Sequence, residues 1–204
     1  MRVRLTPTLA FASALLTPTA PTPILARLRA ETRPYHDAVE ENEFNQALAA
    51  GTPSEAATAR FLARMYGFLA PYEAVLQGHA AELGPAWEIP ARLRAHLILE
   101  DLHADPSQLP LCLAMPPLAT VPQLLGAMYV LEGSTLGGQV LARQLAKAGS
   151  DLRRYFTGYG ERTGPRWKAF CHLLAAAATD AHEEEIVQSA IHTFQHLAAW
   201  LARP

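Results

Sequence analysis

The sequence predicts an all-α protein, a single helical bundle, and three observations predict it. No segment sustains the apolar–polar alternation of a half-buried strand. Long stretches instead repeat apolar side chains three and four residues apart, the spacing that lines one face of a helix. The chain has 204 residues, 50% of them hydrophobic, which is enough to enclose one substantial core. Its net charge of −2, with both signs mixed, leaves no basic footprint for nucleic acid. Cys112 and Cys171 form neither a CxxC pair nor a disulfide framework, as expected of a reduced, cytoplasmic protein. No stretch approaches the ~20 apolar residues of a membrane span.

Residues 1–22 stand apart. Arg2 and Arg4 precede the apolar run LAFASALL and then TPTAPTP, superficially like an export signal. The run is short, interrupted by Ser13 and preceded by Pro7, so it reads as a flexible N-terminal tail ahead of a domain spanning 23–204.

The first helix opens at Thr22-Pro23, with Thr as N-cap and Pro in the first turn. Leu25, Leu28, Thr32, Tyr35, His36 and Val39 form its inner face. Pro34 either kinks this helix or marks a later start capped by Thr32. A lone His on an apolar stripe is commonly a satisfied core residue. Here Glu40, four residues on, is spaced to reach the far ring nitrogen, the usual support of a ligating His. Arg29 lies two turns back on the same face, placed for an acidic group of a ligand.

A short turn or helix follows over 45–51. A second long helix starts after Thr52-Pro53-Ser54 and runs to about His79, with Phe61, Leu62, Met65, Phe68, Leu69 and Tyr72 inside. Residues 88–103 read as another helix, and 106–122 as a Pro-rich connection with one short helical piece. Residues 151–165 read as loop from their Gly and Pro content. Helices resume over 166–179 and 181–202.

The most unusual stretch is GAMYVLEGSTLGGQ, residues 126–139, in a helix that continues to about Lys147. Each helical Gly costs roughly 1 kcal/mol against Ala, and this helix carries Gly133, Gly137 and Gly138 near its middle. Gly133 and Gly137 share one face. Such a face serves either close helix–helix packing or the approach of something flat and wide to the backbone. Tyr129, one turn before Gly133, can put a hydroxyl at the rim of that face and shifts the balance toward the second, with both left open.

Other patterns carry less. Glu100-x-x-His103 is one half of a di-iron motif without its second half, and reads as a frayed helix end. His192 and His196 are one turn apart with no third ligand implied. The distal glycines are no phosphate loop, since no Lys-Ser/Thr follows them.

Together these stretches resemble a bacterial heme oxygenase of the kind found beside bacteriophytochromes, over about residues 25–201. The most specific element is YVLEGSTLGGQ (129–139), similar to the family's distal helix. The second is LRAETRPYHDAVE (28–40), whose His36 matches the proximal iron ligand. Phe156, Tyr159-Gly160, Trp167 and Phe170 add weaker support. The resemblance implies a fold with heme between the proximal and distal helices, His36 on the iron and Glu40 orienting its ring. It implies Arg29 and Tyr129 at a propionate edge, Gly133, Gly137 and Gly138 over the porphyrin, and Phe170 at the cofactor. Ser134 stands where mammalian members have Asp, so proton delivery would run through Ser134 and ordered water. The implied reaction consumes heme and O2 with electrons from a reductase or ferredoxin-type donor. It yields biliverdin, iron and carbon monoxide, with a bacteriophytochrome as the implied recipient of the bilin. The alternative is a heme-transfer protein of the same fold without turnover.

Overall fold

The computed structural model describes residues 22–51 and 53–203, so the expected tail lies outside the described residues except for Thr22. Its helices are α1 (Pro23–Glu40), α2 (Glu43–Ala49), α3 (Glu55–Gly78), α4 (Ala80–Leu83), α5 (Ala95–Leu102), α6 (Val121–Lys147), α7 (Arg154–Thr157), α8 (Thr163–Ala177) and α9 (Glu183–Leu201). Among the described residues there is no strand. No helix among them is long and apolar enough to cross a membrane.

The two long internal helices start where side-chain caps satisfy orphan N–H groups. Ser54 accepts from Ala57 N at the start of α3, and Thr120 from Gln123 N at the start of α6. Asn42 does the same for α2, which places that helix slightly earlier than the sequence indicated. Thr22 precedes α1 but makes no side-chain cap bond, contrary to expectation. Pro34 resolves the earlier alternative: α1 runs unbroken through it from Pro23.

The expected helix over 88–103 holds in its second half, as α5, and fails in its first. Glu88 sits at φ 48°, in the left-handed region, and Pro90 follows it, so the chain forms two short 3-10 turns before α5 begins at Ala95. The loop expected over 151–165 is also more ordered than its Gly and Pro content implied. Asp101, buried on α5, accepts from the backbone N–H groups of Arg154 and Tyr155 at 3.0 Å each, which fixes the start of α7. Glu100-x-x-His103 is indeed a helix end, with α5 stopping at Leu102 and His103 in the left-handed region.

The core centres on the crossing of α6 and α9. Gly126 makes this crossing possible. A Cβ there would overlap the Ile186 carbonyl and stand 2.7 Å from Ser189 Cβ, so the helices touch backbone to backbone. Ser189 Oγ also donates to the Gln123 carbonyl at 2.6 Å. Phe68, Leu62 and Leu69 of α3 and Phe170 of α8 fill the interior around this pair. Along its other flank α9 carries α1, with Ile24, Leu28 and Thr32 buried between them.

Candidate functional site: a slot between α1 and α6

α1 and α6 both lean on α9 yet scarcely touch each other. They are bridged at two places. At one end Tyr129 of α6 lies beside Thr32 and Arg29 of α1; burial pushes its hydroxyl pKa up, and the Arg29 charge and Thr32 hydroxyl pull it back. At the other end Phe44 of α2 stacks with Phe61 and with Phe156, at centroid distances of 4.4 Å and 5.6 Å. The Phe156 carbonyl in turn lies against Gly138 of α6. Between these bridges the chain places His36 on the α1 side and Gly133 to Gly137 on the α6 side.

His36 is half-buried, its side chain 35% exposed, with its ring edge-on to Phe194 of α9 at 5.8 Å. Its Nε2 lies 3.8 Å from Glu40 Oε1 and its Nδ1 3.5 Å from Asp37 Oδ1. The ligand atoms of His36, Asp37 and Glu40 lie within 4.8 Å of one another. Burial raises the Glu40 pKa, opposed by His36, and Glu40 Oε1 is buried without a hydrogen-bond partner among the described residues. Arg29 is exposed at the Tyr129 end of the slot. Cys171 of α8 shares that end, its thiol pushed up to about 12 by burial, with Arg29 pulling the other way.

The glycines of α6 separate into different roles. A Cβ on Gly138 would stand 2.8 Å from the Phe156 carbonyl, so this glycine is required by the close approach of α7. A Cβ on Gly133 would only touch the Trp167 ring, at 3.4 Å and 3.6 Å, an ordinary contact. Protein packing among the described residues therefore does not demand glycine at 133. Gly133→Ala is expected to stabilise the protein without ligand by roughly 1 kcal/mol through helix propensity. Gly138→Ala is expected to cost about 1–3 kcal/mol by overpacking. Paired melting curves of the two variants check this, and a Gly133→Ala protein as damaged as Gly138→Ala would return Gly133 to packing.

Phe170, expected at the cofactor, is fully buried. Its ring stacks with Trp167 at 5.6 Å and meets Trp87 edge-on at 6.0 Å. Trp167, stacked on it, is the α8 side chain that reaches Gly133 and Tyr129. Among other basic residues, Arg153 pairs weakly with Asp151 at 3.9 Å and Arg154 with Glu100 at 3.4 Å. Both line a separate surface cavity of about 790 Å³ beside α3, α5 and α7. Arg166 lies over the Tyr159 ring at 4.5 Å.

Sequence reasoning missed the buried polar cluster behind α6. Arg92 Nε donates to the Trp87 carbonyl and Nη1 to Glu132 Oε2, both at 2.6 Å. Tyr159 OH donates to the other Glu132 oxygen at 2.8 Å. Arg94 Nη2 donates to the Leu131 carbonyl at 2.9 Å, and its guanidinium lies 5.4 Å from the Tyr155 ring. Glu73 accepts from the backbone N–H of Arg94 at 2.6 Å, turning the chain into α5. Burial drives the pKa of Tyr155 and Tyr159 up, keeping both phenols protonated. Ser134 Oγ, also on this helix, donates to the Leu131 carbonyl at 2.7 Å. One signal was available: Glu132 is an acid inside an apolar helix, and a buried carboxylate needs a cation.

An all-helical bundle with a histidine-lined slot against a glycine-bearing helix is a fold already known among solved structures. It is similar to the heme oxygenase of Leptospira interrogans (TM-score 0.73, 19% identity, covering 88% of this chain and 98% of that one). It is similar to the NO- and CO-bound heme oxygenase of Neisseria meningitidis (TM-score 0.71, 24% identity, 87% and 89%). It also matches heme oxygenase-1 of the cyanobacterium Synechocystis in complex with heme (TM-score 0.70, 16% identity, 87% and 90%). At these identities the likeness shows the fold. No family model matches the sequence. In sequence the chain is 32% identical over 146 residues to a heme oxygenase of Xanthomonas campestris pv. campestris, covering 67% of this chain and 86% of that one. The chain belongs to the heme oxygenase family.

Proposed function

We propose that this chain cleaves heme oxidatively to biliverdin, iron and carbon monoxide, with the macrocycle held in the slot between α1 and α6. The observation that carries the reading is that α1 and α6 share the wall α9, with His36 on one and, on the other, a Gly133 that no described side chain requires to be glycine. The donor set fits. A neutral imidazole suits iron, and the partnerless Glu40 Oε1 is placed to accept from the ring nitrogen not engaged by the metal.

His36 would hold the iron and Glu40 would fix its tautomer. Gly133 and Gly137 would leave room for the flat face, with Ser134 offering a rotatable hydroxyl beside it. Arg29 and Tyr129 would meet the acidic edge. When bound, heme supplies the chemistry of O2 activation, and a neutral proximal His pushes little electron density toward O–O cleavage. Trp167 and Tyr129, whose ring centroids lie 5.6 Å apart, would shield the macrocycle from bulk water. Electrons would come from an external reductase or ferredoxin-type donor, in the cytoplasm, where Cys112 and Cys171 stay reduced. The bilin would suit a bacteriophytochrome as acceptor.

Arg29→Ala is expected to weaken heme affinity by about 1–3 kcal/mol, the range for a lost charge-assisted hydrogen bond, and to change the ratio of biliverdin isomers. Titration with hemin and chromatography of the products check both, and unchanged values would place the propionates elsewhere. The reading as a whole is tested by adding hemin to the purified protein, then ascorbate or a ferredoxin system under air. Loss of the heme spectrum with appearance of a bilin is expected. A stable heme complex that survives reductant and air would instead indicate a heme-transfer protein.

A further inference from the structure

His36 stands among two carboxylates of its own helix. Asp37 Oδ1 lies 3.5 Å from its Nδ1 and Glu40 Oε1 3.8 Å from its Nε2. The ligand atoms of all three side chains lie within 4.8 Å of one another, and among the described residues this is the one place where three such groups meet. Two ligands of a tetrahedral zinc ion, each about 2.1 Å from the metal, stand about 3.4 Å apart, so the cluster is near the spacing an ion needs. A second, independent observation points to a ligand. Glu40 Oε1 is shut off from water, yet no described residue donates a hydrogen bond to it. A buried carboxylate oxygen is costly unless a donor or a cation meets it. Asp37 is the adjustable member. Its contact with Arg33 is 3.6 Å long and both side chains are largely exposed, so turning toward an ion costs little. The helical pair His192 and His196 offers no comparable set, since His196 Nδ1 is already engaged by the Ala114 carbonyl at 2.8 Å.

We propose that His36, Asp37 and Glu40 form a binding site for a divalent first-row metal ion of the zinc type in the heme-free protein, and that this ion and heme exclude each other. One imidazole and two carboxylates, with water completing the shell, suit zinc, and cobalt(II) in its place. None of the three is a thiolate, so the softer copper(I) is not favoured. The exclusion rests on the heme reading above. There His36 gives one ring nitrogen to the heme iron and Glu40 orients the other, which leaves neither residue for a second ion. Free zinc would then set the fraction of protein able to ligate heme, and the apparent heme affinity falls in proportion to that fraction.

The test titrates the full, heme-free chain with cobalt(II), whose visible bands report its ligands, and with zinc by calorimetry. One ion per chain is expected. His36→Ala is expected to remove the cobalt bands. Asp37→Asn and Glu40→Gln each keep the shape but withdraw the charge, and are expected to weaken binding at least about tenfold, since even groups behind metal ligands are worth that much. Asp37→Asn separates the two ligands: its zinc affinity is expected to fall while its heme spectrum and heme affinity stay unchanged. Hemin added to the zinc-loaded unaltered protein is expected to show its axial-ligand spectrum only as a chelator withdraws the zinc. At the same zinc concentration Asp37→Asn is expected to ligate hemin readily. Absence of binding, or binding of equal strength in His36→Ala or Asp37→Asn, overturns the site. Full ligation of hemin at saturating zinc overturns the exclusion. If hemin is not ligated even without zinc, the heme reading and the exclusion have failed, and the cobalt titration alone decides the metal site.

Discussion

Replacing His36 by alanine is expected to abolish axial ligation and turnover while leaving the protein without heme folded. The His36 side chain is 35% exposed, and its ring meets the edge of Phe194, a contact worth about 0.5–1.5 kcal/mol. Against a typical stability of roughly 5–15 kcal/mol this loss is small. The slot remains, so the variant is still expected to take up the macrocycle weakly through its apolar walls. Glu40→Gln is expected to change the rate modestly, since it alters the ring's orientation and basicity rather than the bond. Absorption spectra, bilin formation and melting of the same samples check the account. An unchanged heme spectrum and rate in His36→Ala would remove His36 as the ligand.

The largest loss of stability is expected at Glu132. Its carboxylate pairs with Arg92 at 2.6 Å, with side chains 5% and 2% exposed. Removing one member of a buried pair leaves the other charge without compensation, which costs about 3–5 kcal/mol. Glu132→Ala also strips Tyr159 of its acceptor. Glu132→Gln keeps an oxygen and the shape, so it is expected to be the milder change. Urea titrations read the difference as a shift of midpoint at constant slope. A midpoint for Glu132→Ala within about 1 kcal/mol of the unaltered protein would mean that water reaches Arg92 and replaces the carboxylate.

The parts legible in the sequence were those fixed by neighbours along the chain. Ser54 and the apolar spacing after it announced α3, and the run before Lys147 announced α6 with nearly its observed length. His36 and Glu40 come together because four residues is one helical turn. What escaped depended on partners distant in sequence. Arg92 and Glu132 are forty positions apart, and no periodicity links them. Gly126, Gly133 and Gly138 look alike as letters, but one meets α9, one Trp167 and one the Phe156 carbonyl. Phe170 reads equally well in sequence as a pocket wall or as core, and its full burial against Trp167 and Trp87 depends on partners that periodicity does not show. The helix expected over 88–103 failed in its first half for a local reason. Its apolar spacing was real, but Glu88 and Pro90 impose backbone geometry that periodicity does not register.

The unequal support of the two jaws has a dynamic consequence. α6 is gripped by α7, α8 and α9 at once, whereas α1 leans almost entirely on α9. The start of α1 is tied down by Arg27, whose ion pairs with Glu183, Glu184 and Glu31 lie at the water-exposed surface. Segments with fewer buried neighbours open at lower free energy, and exposed ion pairs loosen further as salt screens them. Amide hydrogens of residues 33–40 are therefore expected to trade with deuterium sooner than those of 124–138, and more so at high ionic strength. A rigid disc as wide as a porphyrin would then be expected to enter faster when α1 opens more often. Salt would then quicken loading without altering the grip of α6, and a loaded slot would slow the trade along α1 first.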